Sequence, residues 1–304
     1  MRWYSNWAKH HALADQVPLH TPDLKRIAKP PSGLQVTWIG HSTFLIQLNG
    51  IAILTDPVFS QRASPVGFAG PRRYVPPALS LAQLPPIDYV VVSHNHYDHM
   101  DLKTIAGLAT GPTWLVPLKN AHYLSNVGVK HIIELDWWES HRCGDFLFTA
   151  TPAQHWSARG LFDRCTALWS GWVMSECEHA IYFAGDTGYN PFQFKEIGAR
   201  LGPFDVGLIP IGAYEPRWFM KDMHVNPQES VKIHLDSQSQ KSFAMHWGTF
   251  PLTAESPGAP PIELAKALED AQVSPSQFLV LGIGETWSMS ESDNYETAQL
   301  LKNP

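Results

Sequence analysis

Cysteine is scarce in this 304-residue sequence, and the cysteines present are poorly placed for cross-linking. There are three of them, Cys143, Cys165 and Cys177, which is an odd number, and no two form a CxxC pair. A disulfide framework or a cysteine-based zinc site needs paired cysteines at short spacings. The sequence therefore predicts free thiols in a reducing compartment rather than a disulfide-stapled secreted domain.

Positive charge is also in short supply. Lys and Arg total 22 against 28 Asp and Glu, which gives a formal net charge of −6. Broad, nonspecific nucleic-acid binding needs a large positive surface, so we expect no nucleic-acid partner. No run approaches the ~20 apolar residues of a membrane-spanning helix, and the N-terminus shows no apolar signal-peptide core. We expect a cytoplasmic protein, attached at most to the inner face of a membrane.

Several common fingerprints of binding and catalysis are missing. The glycine-containing stretches "AGDTG" and "GIGE" have the wrong spacing for a P-loop or a GxGxxG nucleotide cradle. No motif of a Ser-His-Asp triad is visible either. The sequence does contain 15 histidines, and their placement carries most of the functional information.

The order of apolar runs and turn signals predicts one α+β domain over residues 34–304, preceded by an irregular arm over residues 1–33. Asn49-Gly50 predicts a β-hairpin turn, and "DLKTIAGL" reads as a helix with Asp101 near its N-cap. "NPQE" at residues 226–229 has the cap, the first-position proline and the third-position glutamate of a helix start. A last strand is predicted at residues 277–285. We expect two β-sheets packed between helix layers, with chemistry at the carboxyl ends of strands.

The stretch "SHNHYDHMD", residues 93–101, concentrates metal-binding groups directly after a short β-branched run. His94 and His96 are two residues apart, so on an extended backbone they point the same way. Asp98 and His99 follow one step later. Imidazole and carboxylate suit Zn²⁺, or iron or manganese. One ion cannot comfortably take all four groups from so short a loop, so we expect two ions a few ångströms apart.

Further ligand candidates follow other strand-like runs. His155 comes after "FLFTATPAQ", Asp186 after "IYFAG", and His246 after "SFAM". A single histidine or aspartate in such a loop is more often a hydrogen-bonded loop residue. The repetition of this placement after separate strands favours a shared metal site.

Together, HxHxDH and the spaced His, Asp and His resemble the metallo-β-lactamase superfamily, which has an αββα fold. Within it, the chain closely resembles the family of N-acylphosphatidylethanolamine-hydrolysing phospholipases D. The resemblance extends from about residue 36 to residue 250. The HxHxDH motif specifies only the superfamily, whereas "DWWE" and "IPIGAYEPRWFM" are far more specific. Residues 1–33 show little of that family's longer, apolar-rich leader.

The resemblance implies a ligand set and a reaction. It implies that the first ion is held by His94, His96 and His155 and the second by Asp98, His99 and His246, with Asp186 as the bridge. The cofactor expected is two Zn²⁺ per chain, with iron or manganese as alternatives. The reaction implied is hydrolysis of N-acylphosphatidylethanolamine to phosphatidic acid and an N-acylethanolamine. Catalytic roles are expected for Asp98, Asp186 and His224.

The remaining candidates are assigned to the substrate or to support of the ligands. His224, in "KDMHVNPQE", is expected to contact the phosphate or the leaving group, and Arg217 and Trp218 are expected to bind substrate. His41 and Asp56 are expected to hydrogen-bond ligand side chains. The expected partner is a phospholipid at a membrane surface or in micelles, and a homodimer remains an open alternative.

Two other functions fit the same residues. One is a hydrolase of the same fold that acts on a soluble phosphodiester or a sugar-phosphate lactone. The other is a metal-binding regulatory protein with little turnover. A complete ligand set argues against the regulatory protein, while the length of the resemblance favours the lipid substrate over a soluble one.

Overall fold

The computed structural model describes residues 17–177 and 179–289, so part of the predicted arm, residues 1–16, lies outside the described residues. The described strands form two seven-stranded mixed sheets. The strands of the first sheet are β1 (Leu34–Gly40), β2 (Thr43–Leu48), β3 (Ile51–Thr55), β4 (Tyr89–Val91), β5 (Thr113–Pro117), β6 (Ile132–Leu135) and β14 (Thr286–Ser288). Those of the second are β7 (Ser140–Cys143), β8 (Phe146–Thr151), β9 (Gly171–Glu176), β10 (His179–Phe183), β11 (Phe204–Pro210), β12 (Ser239–Met245) and β13 (Phe278–Leu279).

The strand orders are β14-β1-β2-β3-β4-β5-β6 and β13-β12-β11-β10-β9-β8-β7. Along the chain, the described helices come before and between these strands. They are α1 (Leu24–Ala28), α2 (Leu102–Gly107), α3 (Ala121–Ser125), α4 (Gln193–Leu201), α5 (Arg217–Met220), α6 (Pro227–Asp236) and α7 (Ala259–Asp270).

The two sheets pack face to face around one large apolar core. Trp38 and Phe44 of the first sheet and Phe148 and Trp172 of the second belong to the same buried cluster. A second cluster on the outer face of the first sheet includes Ile105 of α2 and Leu124 of α3. Helix α6 contacts β11 and β12 on the outer face of the second sheet. The predicted α+β sandwich of two sheets between helix layers is therefore confirmed.

The topology explains why the ligand candidates can meet. Strands β10, β11 and β12 are parallel neighbours, and β8 is antiparallel to β9, which is antiparallel to β10. Strands β8, β10 and β12 therefore run in the same direction and end at the same edge of the sheet. The loops that follow them carry His155, Asp186 and His246.

Most local predictions hold. Asn49 and Gly50 form the β2–β3 turn with φ of 50° and 83°, as a two-residue hairpin turn requires. Asp101 caps α2, and Asn226 caps α6 in a capping box with Glu229. The predicted strand at 277–285 is wrong in length, because β13 pairs only at Phe278–Leu279. The unpredicted β14 completes the first sheet beside β1.

The described part of the arm is more ordered than its sequence indicates. The backbone of His20 donates to the carbonyl of Ile283, and Val17 is buried. Residues 24–28 form the short helix α1, capped by Asp23, so the expectation of an irregular arm is wrong there. Among the described residues, no helix combines the length and apolar composition needed to cross a bilayer.

Candidate metal centre

Three histidine nitrogens converge at the carboxyl ends of β4 and β8. His94 Nε2 lies 2.8 Å from His96 Nδ1, and His155 Nε2 lies 3.3 Å from the same His96 nitrogen. Asp186 Oδ2 lies 3.9 Å from His94 Nε2 and 3.8 Å from His155 Nε2. Donor atoms around one tetrahedral zinc ion, with bonds of about 2.0–2.1 Å, are roughly 3.3–3.4 Å apart. These four atoms could therefore hold one ion.

A second group of donors adjoins the first. Asp98 Oδ2 lies 3.3 Å from both His99 Nε2 and His246 Nε2. Asp186 Oδ2 lies 3.1 Å from His99 Nε2 and 3.0 Å from His246 Nε2. One oxygen of Asp186 thus belongs to both groups. The seven residues that the family resemblance implies as ligands thus lie together in the structure.

The buried polar atoms of the centre fit a metal ion. Asp186 Oδ1 is buried and has no hydrogen-bond partner, and the buried nitrogens His99 Nε2 and His246 Nε2 lie 3.0–3.3 Å from carboxylate oxygens without hydrogen-bond geometry. An unpaired polar atom in a protein interior is costly and normally has a partner. Neutral imidazole and carboxylate are suitable donors for zinc and other first-row metals. The donor set and its unpartnered atoms therefore suit divalent cations.

Burial and charge divide the histidines into two kinds. Burial lowers the pKa of His94 and His155 well below the usual value and that of His96 to about 4, so these imidazoles are neutral donors at pH 7. Burial also acts to lower the pKa of His246, but the neighbouring Asp186 and Asp98 carboxylates together outweigh it and raise that pKa to about 9. A cation at Nε2 of His246 would displace that proton, so metal binding there releases a proton.

The two carboxylates of the centre are ionised despite their burial. Burial opposes the charge of Asp186, yet the adjacent His246 and His99 hold its pKa well below the usual range. Burial likewise opposes ionisation of Asp98, and His99 again lowers that pKa well below its ordinary value. Two negative charges thus face the histidine nitrogens in a buried site, which favours a dication.

Hydrogen bonds behind the donors fix their orientation. Asp56 Oδ2 lies 2.6 Å from His99 Nδ1, while Asp56 Oδ1 accepts from the backbone of Ser93. His155 Nδ1 lies 3.0 Å from the carbonyl of Met223, and His41 Nε2 lies 3.0 Å from Asp98 Oδ2. Contacts of this kind set the tautomer and direction of metal-binding side chains. His41 and Asp56 thus contact the side chains of two proposed ligands, Asp98 and His99.

Several residues of the centre have unusual backbone conformations. His41, Asp56 and His246 have φ of 55°, 32° and 60°, a region that side-chain-bearing residues rarely adopt. Gly185, directly before Asp186, has φ of 62°, and a Cβ there would lie 2.8 Å from Ser93 Cβ. Such strained positions concentrate at functional sites, where surrounding contacts enforce them.

A cleft of about 370 Å³ opens onto the donors His96, Asp98 and Asp186. Its walls are mostly apolar, and Arg164 is the one cationic side chain among the described lining residues. The non-ligand side chains that sequence reasoning missed are Ala63, Tyr97, Trp156, Arg164, Met223, Leu252 and Thr253. Trp156 could have been found from its place beside His155, and Tyr97 from its place inside HNHYDH. Ala213, Phe219 and Met220, which also line the cleft, lie in the stretch "IPIGAYEPRWFM" noted in the sequence.

The three residues expected to bind substrate occupy different surroundings. His224 lines the cleft, and its Nδ1 lies 3.9 Å from Asp186 Oδ2 with no hydrogen-bond partner. Arg217 instead donates to the carbonyl of His224 and to Glu229, and Trp218 is 80% exposed. Neither Arg217 nor Trp218 is among the residues that line the cleft. Arg217 is thus placed to hold the His224 loop.

Comparisons with known proteins identify related sequences. The family profile described as "Beta-lactamase superfamily domain" matches residues 52–247. The N-acyl-phosphatidylethanolamine-hydrolyzing phospholipase D 1 of Caenorhabditis elegans is 43% identical over 274 residues, covering 86% of this chain and 77% of that protein. A mitochondrial N-acyl-phosphatidylethanolamine-hydrolyzing phospholipase D of Saccharomyces cerevisiae is 37% identical over 227 residues, covering 72% of this chain and 48% of that protein.

The fold has counterparts among solved structures. A metallo hydrolase of the archaeon Ignicoccus hospitalis superposes with a TM-score of 0.63 and 22% identity. The match covers 84% of this chain and 98% of the archaeal one. At this level of identity the likeness concerns the fold alone.

Proposed function

The chain belongs to the metallo-β-lactamase superfamily of metal-dependent hydrolases, and from that membership we propose that it is a dinuclear zinc phosphodiesterase of the phospholipase D type. Its proposed substrate is N-acylphosphatidylethanolamine, and the products are phosphatidic acid and an N-acylethanolamine. The observation that carries the proposal is the pair of donor groups sharing Asp186 Oδ2 at an apolar cleft. The similarity to the nematode enzyme supports the choice of substrate.

The proposal assigns the donors to two ions. His94, His96 and His155 would hold the first, and Asp98, His99 and His246 the second, with Asp186 contributing to both. With zinc bound, these residues would hold ions that supply a lowered water pKa and neutralise charge on phosphoryl oxygens. We assign the hydrolase domain to residues 34–304 and leave residues 1–33 as an arm.

His224 is the proposed catalytic partner outside the ligand set. Burial lowers the pKa of His224 to about 4, so its ring is neutral at pH 7 and carries one N–H group. The ring lies within 5.0 Å of His155 and 5.4 Å of His246, centroid to centroid, and faces the cleft. A neutral imidazole in this place can donate a hydrogen bond to a phosphate oxygen or to the leaving oxygen. Asp98 orients the reacting water in this proposal.

The cleft suits one part of a phospholipid rather than the whole molecule. Its volume of about 370 Å³ lies at the low end of small-ligand sites, so the acyl chains must extend beyond it. Trp156, Phe219 and Met220 provide apolar walls, and Arg164 stacks over Trp156 at 4.4 Å from the ring centroid. We assign the glycerophosphate region to this cleft, with Arg164 near the anionic oxygens.

The surroundings of the cleft support contact with a lipid surface. Three chain segments that contribute to its lining also carry large apolar side chains with high exposure. These exposed side chains, which we call the apolar rim, are Val66, Phe68, Leu161, Phe162, Trp218 and Phe219. Phe162 is 96% exposed and Leu161 is 93% exposed, although water disfavours both. We propose that the rim seats a cytoplasmic protein on the inner face of a membrane.

The substrate is tested by comparing a lipid with a soluble diester. Zinc-loaded enzyme is assayed with N-acylphosphatidylethanolamine in detergent micelles and with bis(p-nitrophenyl) phosphate in solution. We expect kcat/KM for the lipid to exceed that for the soluble diester by about 10²-fold or more, since apolar contacts bind the lipid transition state. Turnover of the soluble diester alone would support the soluble-substrate hydrolase, and no turnover would support the regulatory protein.

The apolar rim provides a control within the same assay. Leu161→Ser combined with Phe162→Ser is expected to lower kcat/KM for the lipid and to leave turnover of the soluble diester unchanged. Leu235→Ser is the matched surface variant, since Leu235 is 51% exposed near the C-terminal end of α6, away from the cleft. Equal lipid activity in the rim variant and the Leu235 variant would remove the rim from the proposal.

A further inference from the structure

Arg159 connects two loops that carry proposed metal ligands. It lies four residues after His155, in the loop that follows β8. Its Nη1 donates to the carbonyl of Asn95 at 2.7 Å and to the carbonyl of Met100 at 2.8 Å. Asn95 stands between His94 and His96, and Met100 directly follows His99. One guanidinium nitrogen therefore joins both ends of the segment 94–99.

The contact between the loops is reinforced by Tyr97. The guanidinium carbon of Arg159 lies 4.2 Å from the centroid of the Tyr97 ring, which is a cation–π distance. The hydroxyl of Tyr97 in turn donates to the carbonyl of Arg159 at 2.5 Å. Tyr97 belongs to the ligand segment, so each loop holds the other by both side chain and backbone.

A third contact fixes the backbone of Arg159 itself. The Asp163 carboxylate accepts from the backbone N–H of Arg159 at 3.1 Å and from that of Gly160 at 2.8 Å. The hydroxyl of Tyr123 donates to the same carboxylate at 3.3 Å. The arginine is therefore anchored at its backbone before its side chain reaches across to the ligand segment.

These contacts have a direct consequence for the donors. Asn95 and Met100 are fully buried, and each of their carbonyls receives a charge-assisted hydrogen bond from Arg159. Without that nitrogen the two carbonyls would lose this donor, and the segment would gain freedom to change shape. Metal ions demand donors within a few tenths of an ångström, so a change in the segment would weaken binding.

We propose that Arg159 is a positioning residue that holds the segment 94–99 and the His155 loop in register for metal binding. Five of the seven proposed ligands lie on these two loops. Within the described part of the chain, the Arg159 side chain forms no hydrogen bond or ion pair with a donor atom of the centre, so its effect passes through Asn95, Met100 and Tyr97. The inference rests on the proposed metal centre and adds a residue that the ligand motif does not contain.

The test measures zinc affinity separately from turnover. Zinc affinity is measured by competition with a fluorescent chelator for the wild type, Arg159→Met and Arg159→Lys. In Arg159→Met we expect the zinc dissociation constant to rise by about 10–100-fold, the usual effect of losing an outer-sphere partner. We also expect kcat to fall by about 10–100-fold with little change in KM. Arg159→Lys keeps the charge but not the planar fork, so it should recover part of the zinc affinity.

Arg200→Met is the matched control. Arg200 also stacks on an aromatic ring, with its guanidinium 4.3 Å from the Trp138 centroid, and its ion pair with Glu196 is solvent-exposed. The control should keep wild-type zinc affinity and kcat. A folded Arg159→Met protein with the zinc affinity and kcat of the wild type would overturn the inference, even if its melting temperature fell.

Two further outcomes are distinguishable. If Arg159→Met does not fold, Tyr97→Phe decides, because it removes one hydroxyl hydrogen bond between the loops. We expect its zinc dissociation constant to rise by about fivefold, the worth of one buried hydrogen bond, and an unchanged constant would overturn the inference. Failure of the wild type to bind zinc would instead contradict the proposed metal centre itself.

Discussion

Replacing Asp186 by asparagine is expected to lower kcat by more than about 10³-fold, since outer-sphere partners of metal ligands alone are worth about 10–100-fold. The substitution keeps the size of the side chain but removes the charge of the oxygen shared by both donor groups. Asp186 Oδ2 lies 3.0–3.9 Å from nitrogens of His94, His99, His155 and His246, so both groups lose a ligand together.

Metal content separates this role from a purely structural one. By elemental analysis, the wild type purified without chelator should contain close to two ions per chain, mostly zinc, and Asp186→Asn clearly fewer. Asp270→Asn, on the exposed last residue of α7, serves as the control and should match the wild type. Circular dichroism checks that the fold survives. Near-normal turnover with full metal content in Asp186→Asn would show that Asp186 is not the bridge.

His224→Ala should lower kcat by about 10²–10³-fold, which is the usual loss when one acid/base or oxyanion partner is removed. The imidazole has an unpartnered Nδ1 facing the centre, while Arg217 holds the backbone of the same residue. Because the backbone contacts remain, the loop should keep its shape. Metal content and thermal stability should therefore stay close to those of the wild type.

Measuring metal content and kcat on one preparation distinguishes three roles for His224. Its nitrogen also lies close enough to His155 and Asp186 to complete a third group of donors. A ligand role predicts loss of metal together with loss of activity. A passive loop residue predicts that kcat and kcat/KM stay unchanged with the lipid substrate. His141→Ala, on the exposed strand β7, controls for removal of a histidine in general.

The local parts of the fold could be predicted because their signals are local. The hairpin at Asn49-Gly50 needs positive φ at both residues, and Asn226, Pro227 and Glu229 satisfy a helix start within four residues. Strand β14 has only three residues and depends on pairing with β1, far away in the chain. A strand of that length carries no periodic pattern of its own, so sequence reasoning missed it.

The metal centre likewise combines features with a local sequence signal and features that depend on contacts between distant parts of the chain. HNHYDH is compact, and His155, Asp186 and His246 each follow a recognisable strand, so the proposed donors could be named from sequence. The role of Asp186 as a bridge was implied only by the family resemblance. The position of its Oδ2 beside both donor groups depends on how the two sheets pack. The role proposed for Arg159 was not visible, because its partners are backbone carbonyls, and any residue supplies a carbonyl. Arg217 was expected to contact substrate because the sequence does not show its partner. In the folded chain it forms an ion pair with Glu229.

Isotope labelling tests the proposed phospholipase D chemistry, because it reports which bond the enzyme breaks. Zinc-loaded enzyme is incubated with N-acylphosphatidylethanolamine in ¹⁸O-water, and the masses of both products are measured by mass spectrometry. In the proposed reaction the water oxygen bonds to phosphorus, the bond from phosphorus to the ethanolamine oxygen breaks, and that oxygen takes a proton. We expect one ¹⁸O atom in phosphatidic acid and none in the N-acylethanolamine. Label in a released fatty acid, or in a phosphorylated N-acylethanolamine beside diacylglycerol, would contradict the proposed chemistry.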